Sequence, residues 1–160
     1  MKVLYTGSFD PITVGHMDII NRISRNFDEI VVTVFNNIEK KYWFDIEERC
    51  EMVRQATTHL HNVSVDFTEG LVVEYCERNN INLIVRGLRA VSDYEYELAI
   101  SSINKHLNKN LETIFLVASP EFSFLSSSMV KDVAEHGGVF EDLVPKYVGQ
   151  EIYKKLGRKK

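Results

Sequence analysis

Short β-branched runs alternate with amphipathic segments along the whole chain, and no other feature of the sequence limits its possible folds as sharply. Lys2 to Tyr5, Glu29 to Val34, Val63 to Phe67, Leu83 to Val85 and Thr113 to Val117 read as five strands. Between the first two, Met17, Ile20, Ile23 and Phe27 recur at helical spacing. After the second, Ile46, Arg49, Cys50, Val53, Ala56 and Leu60 do so again, behind Asp45 and Glu48 in the spacing of a helix cap. Further helices are expected over about Leu71 to Asn79, Ser92 to Leu107, Ser127 to His136 and Pro145 to Leu156. Each helix can carry the chain back across a sheet to begin the next strand in the same direction, so the order implies parallel pairing. The expected fold is α/β, a Rossmann-like five-stranded parallel sheet with helices on both faces. No linker or repeat interrupts it, Gly137-Gly138 reads as a helix stop and turn, and 160 residues make one domain. The basic run from Lys154 to Lys160 has no interleaved aromatic residues and reads as a solvated tail, frayed over about 157–160.

Charge and cysteine usage remove several classes of function. Lys and Arg number 19 against 23 Asp and Glu, a formal net charge of -4, which argues against a nucleic-acid or anionic-membrane binder. No apolar run approaches the ~18 residues of a bilayer span, and Met1 leads straight into the first strand without a secretory leader, so a cytoplasmic protein is expected. Cys50 and Cys76 lie far apart within helical patterns and are expected to be buried, reduced thiols. The five His residues show no zinc spacing, and His59 and His61 read as surface loop residues.

Open parallel sheets bind ligands at the carboxyl ends of their strands, which directs attention to three loops. The first, Tyr5 to His16, contains Gly7, where a ligand can approach bare backbone, and ends in Gly15-His16 at a helix start, where free N–H groups favour an anion. It has neither a Walker A ending nor a G-x-G-x-x-G pattern, so a different class of phosphate handling is required. The fourth strand leads into Arg86-Gly87-Leu88-Arg89, two guanidiniums suited to a bidentate grip on phosphate oxygens. The fifth leads through Ser119-Pro120-Glu121-Phe122 to Ser123-Phe124-Leu125-Ser126-Ser127-Ser128 at another helix start. Together these describe a cradle for a nucleoside triphosphate that lacks a nucleophile elbow or a metal-binding His pair.

These loops carry a resemblance. Gly7 to His16 resembles the T/H-x-G-H signature of the nucleotidyltransferase superfamily, and Leu125-Ser126-Ser127-Ser128 resembles its second, Ser-rich signature. Lys40-Lys41, the Asp45-to-Arg49 helix start, Arg86-Gly87-Leu88-Arg89-Ala90 and Asp93-Tyr94-Glu95-Tyr96-Glu97 are similar to bacterial phosphopantetheine adenylyltransferases, in order and spacing over essentially the whole chain. Members of that family transfer AMP from ATP to 4'-phosphopantetheine, with magnesium, making dephospho-coenzyme A and pyrophosphate in the penultimate step of coenzyme A synthesis. The resemblance implies that Ser8, Lys40 and Arg86 contact phosphopantetheine, with Val72 at its pantetheine arm. It implies that Ser8, Phe9, Gly87, Leu88, Arg89, Glu97 and the stretch Phe122, Ser123, Phe124, Leu125, Ser126, Ser127 and Ser128 surround ATP. His16 is then an ATP contact and the stabiliser of the transition state. Ser8 stands where the family often has Thr and Phe122 where it often has Trp, so a hydroxyl and an aromatic ring survive. The resemblance further implies a homohexamer and feedback binding of coenzyme A. The sequence itself isolates no apolar helix face that demonstrates an assembly.

The chemistry asks little of a protein beyond alignment. A phosphate monoester has a second pKa of about 6 and is an anionic nucleophile near neutral pH. No general base is needed, and magnesium would be held chiefly by phosphate oxygens and water, so no residue is assigned as a metal ligand. Two other readings are open to the sequence. The first and last loops alone would also suit another adenylyl or cytidylyl transferase. A regulatory nucleotide-binding module would need neither His16 nor a second anion site at Lys40 and Arg86.

Overall fold

The computed structural model describes residues 1–159; the last residue of the expected tail, Lys160, lies outside them. Five strands, β1 (Lys2–Gly7), β2 (Glu29–Phe35), β3 (Val63–Thr68), β4 (Leu83–Leu88) and β5 (Glu112–Val117), form one parallel sheet in the order β3-β2-β1-β4-β5. The helices are α1 (Val14–Ser24), α2 (Ile46–Thr57), α3 (Val72–Arg78), α4 (Val91–Leu107), α5 (Ser127–Glu135) and α6 (Lys146–Lys155), with short 3-10 turns at Pro120–Phe122 and Glu141–Leu143. The α/β, doubly faced, Rossmann-like expectation is therefore met. The expected cap of α2 is present as a reciprocal pair: Glu48 N–H donates to Asp45 and Asp45 N–H donates to Glu48, each at 2.8 Å.

Alternate residues of the central strands enter opposite layers, as the two-residue period requires. Val3, Tyr5, Ile30, Val32, Val34 and Val85 join the larger core with α1, α2, α5 and α6, whereas Leu4, Val31 and Ile84 pack with Val73, Tyr75 and Cys76 of α3. Both cysteines are buried and free. The tail is tied down as far as Arg158, whose guanidinium donates to the carbonyls of Ala134 and Glu135.

Helix α4 departs from the expectation that no apolar face stands apart. Glu97 is its only buried residue, while Leu98, Ile100, Ile103 and Leu107 are exposed beside Ile114 and Val117 of the edge strand β5. The sequence reading assigned this helix a span and no face; in the structure β5 is the edge strand of the sheet, and those side chains stay uncovered beside it. Among the described residues, no helix is long and apolar enough to cross a membrane.

Candidate active site

The strand order reverses between β1 and β4, and there the sheet opens. Backbone pairing between these strands covers Leu4 with Ile84 and Tyr5 with Val85 and then ends, although β1 stays paired to β2 through Gly7 and β4 to β5 through Leu88. Reversal of strand order leaves the two connections running away from each other, which makes a crevice at the carboxyl end. The structure lengthens β4 beyond the expected Val85, so Arg86 and Gly87 are strand residues rather than loop residues and face this opening. Arg86 closes its floor by donating from Nη1 to the Thr6 carbonyl.

Two cavities meet at this crevice. The first, of about 270 Å³, lies over the β1 loop, the end of β4 and the segment after β5. It is lined by Ser8, Phe9, His16, Gly87, Arg89 and Glu97, and by Phe122, Leu125, Ser126 and Ser127. The second, of about 400 Å³, is lined by Ser8, Lys40, Val72 and Arg86, with apolar walls from Phe35, Leu71, Ile84, Ile100 and Ile103. Thr6, Gly7, Ser8, Arg86 and Glu97 border both. The residues expected at phosphopantetheine thus fall together in the second cavity, and most of those expected at ATP fall in the first. Leu88, Ser123, Phe124 and Ser128 line neither. Phe124 is 59% exposed, and Ser123 spends its hydroxyl on the Pro120 carbonyl at 3.0 Å.

The β1 loop has a specific reason for its glycine. Phe9 takes a left-handed backbone, φ 47°, which swings its buried ring back across the strand end. A Cβ on Gly7 would lie 3.1 Å from that ring, so any larger residue there would have to push the ring aside by a few tenths of an ångström. The ring then packs edge-on against His16 with centroids 5.1 Å apart.

His16 is the third residue of α1 and completes a capping box with Thr13. Its backbone N–H donates to Thr13 Oγ1 at 3.3 Å, and the Thr13 N–H donates to His16 Nδ1 at 3.0 Å. One side chain therefore both caps the helix and lines the first cavity. Because Nδ1 accepts from a backbone amide, the neutral ring carries its proton on Nε2, which makes Nε2 the donor available to the cavity. Burial, then the charges of Arg89 and Arg86, lower the His16 pKa from 6.5 to about 4. The ring is thus a neutral hydrogen-bond donor at physiological pH.

The arginines and carboxylates are paired. Arg86 donates to Glu97 from Nε at 2.8 Å and from Nη2 at 2.6 Å, a bidentate contact on a carboxylate only 9% exposed. Arg89 holds Asp93 through Nε at 3.1 Å and donates from Nη1 to the Leu125 carbonyl at 2.9 Å. Burial acts to raise the Asp93 carboxyl, but hydrogen bonds and charge from Arg89 outweigh it and hold the group below the ordinary carboxylate value. Asp10 accepts from the backbone N–H groups of Trp43 and Phe44 and from Lys131 Nζ. With these carboxylates committed, the donor set of the crevice suits anions rather than a resident cation. The serines also build structure: Ser126 caps α5 by accepting from Met129 N–H at 3.1 Å, and Ser127 donates to the Pro11 carbonyl at 2.8 Å.

The sequence pattern of the cytidylyltransferase-like family matches residues 4–133, which include every residue named at both cavities. The chain belongs to the cytidylyltransferase-like family. Among solved structures of similar fold is a Vibrio parahaemolyticus protein described as a candidate nicotinate-nucleotide adenylyltransferase. It is 16% identical, with a TM-score of 0.66, over 94% of this chain and 97% of that one. At that identity the likeness shows a shared fold.

Several cavity residues of this cytidylyltransferase-like chain were given no site role in the sequence reading, although Asp93 and Tyr96 lie in one of its motifs. Thr13 could have been found from its position three residues before His16, the spacing of a capping box. Asp93 lies four residues after Arg89 at the start of α4, and Tyr96, Ile100, Ile103 and Asn104 share one face of that helix at the spacing i, i+4, i+7, i+8. Arg49 was read as one of the positions at helical spacing and as the end of the Asp45-to-Arg49 motif, with no role at the site.

Proposed function

We propose that this cytidylyltransferase-like protein is a pantetheine-phosphate adenylyltransferase, moving the adenylyl group of ATP to 4'-phosphopantetheine and releasing dephospho-coenzyme A and pyrophosphate. The observation that carries the reading is the pair of cavities with one shared wall. The first is of mixed polarity and bordered by a helix start and Arg89; the second joins Lys40 and Arg86 to a long apolar wall suited to an aliphatic arm. Two polyanions that must meet end to end need such an arrangement, since alignment and charge neutralisation are most of the catalysis.

In this reading a terminal oxygen of the acceptor phosphate attacks the α-phosphorus, a new P–O bond forms, and the bond to the pyrophosphate oxygen breaks with its electron pair. No proton has to leave the nucleophile at neutral pH. Lys40 and the unused N–H groups of Arg86 hold the acceptor phosphate, Arg89 and the segment from Phe122 to Ser127 hold the nucleotide, and Ser8 stands between them. His16 Nε2–H donates to a non-bridging α-phosphate oxygen as charge collects there. ATP enters as its magnesium complex, with the ion ligated by phosphate and water, consistent with the committed carboxylates. A place in coenzyme A synthesis in the cytoplasm and feedback binding by coenzyme A belong to the same proposal. So does a homohexamer, for which the uncovered apolar residues of α4 and β5 offer a surface where copies of the chain would meet.

The test supplies MgATP with 4'-phosphopantetheine, nicotinate mononucleotide, nicotinamide mononucleotide or glycerol phosphate and measures pyrophosphate. Efficient release with phosphopantetheine alone is expected. Release confined to a pyridine mononucleotide would transfer the assignment to the activity for which the structural neighbour is named.

A further inference from the structure

Among the described residues, Arg49 is the largest side chain with no exposure, and its charge meets no carboxylate. Its acceptors are all neutral: Nε donates to the Phe44 carbonyl at 3.1 Å, Nη1 to the carbonyls of Ser8 at 2.9 Å and Phe35 at 3.1 Å, and Nη2 to Asn36 Oδ1 at 2.6 Å. The guanidinium carbon lies 3.8 Å from the centroid of the Tyr42 ring. A buried charge without a counter-ion is costly, and filling space in α2 would be done better by Leu or Met. The position therefore needs the planar fork of donors.

What the fork joins is the loop after β1 and the segment that follows β2. Ser8 borders both cavities, and its carbonyl belongs to the peptide that sets the φ of Phe9. A non-glycine residue in the left-handed region persists only where its surroundings hold it there, and rotation of the Ser8–Phe9 peptide would relieve it. Nη1 blocks that rotation by holding the carbonyl. On the other side, Tyr42, lying on the guanidinium, accepts from Asn37 N–H at 2.9 Å through its hydroxyl, and the Asn37 carbonyl accepts from Lys40 N–H at 3.0 Å. A continuous chain of contacts thus runs from Ser8 through Arg49, Tyr42 and Asn37 to Lys40.

We infer that Arg49 is a positioning residue for the transfer reaction, one that holds the Ser8–Phe9 peptide in its left-handed turn and, through Tyr42, sets the loop that carries Lys40. The inference rests on the reading that Ser8 and Lys40 hold the two substrates. It makes the effects of Arg49 and Tyr42 different in kind. Loss of the fork disturbs Ser8 and so both substrates, whereas loss of the Tyr42 hydroxyl disturbs the Lys40 loop alone.

The experiment first identifies which of the four acceptors releases pyrophosphate with wild-type protein, then measures KM for ATP and that acceptor, kcat and Tm in Tyr42→Phe, Arg49→Lys and Arg49→Met. Tyr42→Phe keeps the ring over the guanidinium and is expected to raise the acceptor KM about tenfold, with ATP KM and kcat changed less than about twofold. Arg49→Lys keeps the charge without the fork and is expected to raise both KM values and lower kcat by about tenfold or more. Arg49→Met is expected to match or exceed it, and should Met fail to fold, the Lys and Phe variants still decide the matter. Equal changes in both KM values for Tyr42→Phe, or a lowered Tm with unchanged constants in all variants, would overturn the inference. A wild type active only on another phosphate monoester would remove the phosphopantetheine reading while leaving the same comparison to be made with that acceptor. Activity on none would remove both.

Discussion

Arg86→Ala should cost far more stability than an ordinary surface substitution, and the cost should fall when the carboxylate it leaves behind is neutralised. Both oxygens of Glu97 face the guanidinium, at 2.8 and 2.6 Å, and the carboxylate is 9% exposed while Arg86 is 27% exposed. Breaking a buried pair by deleting one partner costs about 3–5 kcal/mol, because the survivor stays buried without a counter-ion. The pair forms a cavity wall that water reaches from the Arg86 side, which lowers the expectation to about 2–4 kcal/mol. For a domain of this size each kcal/mol shifts Tm by about 2–4 °C, so a fall of roughly 5–15 °C is expected. Urea denaturation and thermal melts of wild type, Arg86→Ala, Glu97→Gln and the double variant complete the cycle. The double variant should recover at least half of the loss. Arg86→Ala within about 0.5 kcal/mol of wild type, or strictly additive single effects, would refute the view that Arg86 and Glu97 act as one buried unit.

Three further outcomes are expected. His16→Ala should lower kcat about a hundredfold or more with little change in either KM, the signature of a donor used at the transition state; a raised ATP KM at full kcat would contradict it. Since the folded His16 pKa of about 4 lies below the unfolded value, its stabilising contribution is whole above about pH 6.5 and is lost as pH falls towards 4. Wild type should therefore lose roughly 3 kcal/mol more than His16→Gln over that interval, and parallel pH profiles of urea stability would argue against it. Arg89, which borders the first cavity alone, should raise the ATP KM roughly ten- to a hundredfold when replaced by Ala and leave the acceptor KM nearly unchanged. Equal effects on both substrates would mean one shared electrostatic funnel.

Local periodicity made the fold legible. The five strands, six helices, the Asp45–Glu48 cap and the parallel pairing all follow from spacing and cap chemistry that act within a few residues, and the structure reproduces them with shifts at the ends. The main shift, β4 running on through Leu88, arises because pairing with β5 rather than strand propensity decides where β4 stops. The loops after β1, β4 and β5 were likewise legible, since glycine beside phosphate-binding residue types at strand ends is a local signal. The division of labour within the His16 ring was not. Its spacing from Thr13 offered a cap and its position at the strand end suggested an anion site, and only the arrangement of atoms shows Nδ1 taken up by the cap while Nε2 stays free for the proposed contact.

By itself, then, the sequence determined the order of elements, the sense of the sheet and the residue types at its carboxyl end, because each depends on interactions between near neighbours in the chain. Tertiary structure alone decided that Arg86 would grip Glu97 eleven positions on and the Thr6 carbonyl from another strand, that four neutral acceptors from three segments would converge on Arg49, and that α4 would leave its apolar side chains uncovered. These depend on where the strand order reverses and where the sheet ends. A charged side chain buried among distant carbonyls looks, in a linear pattern, like any other arginine on a helix, and only the assembled fold shows what it holds.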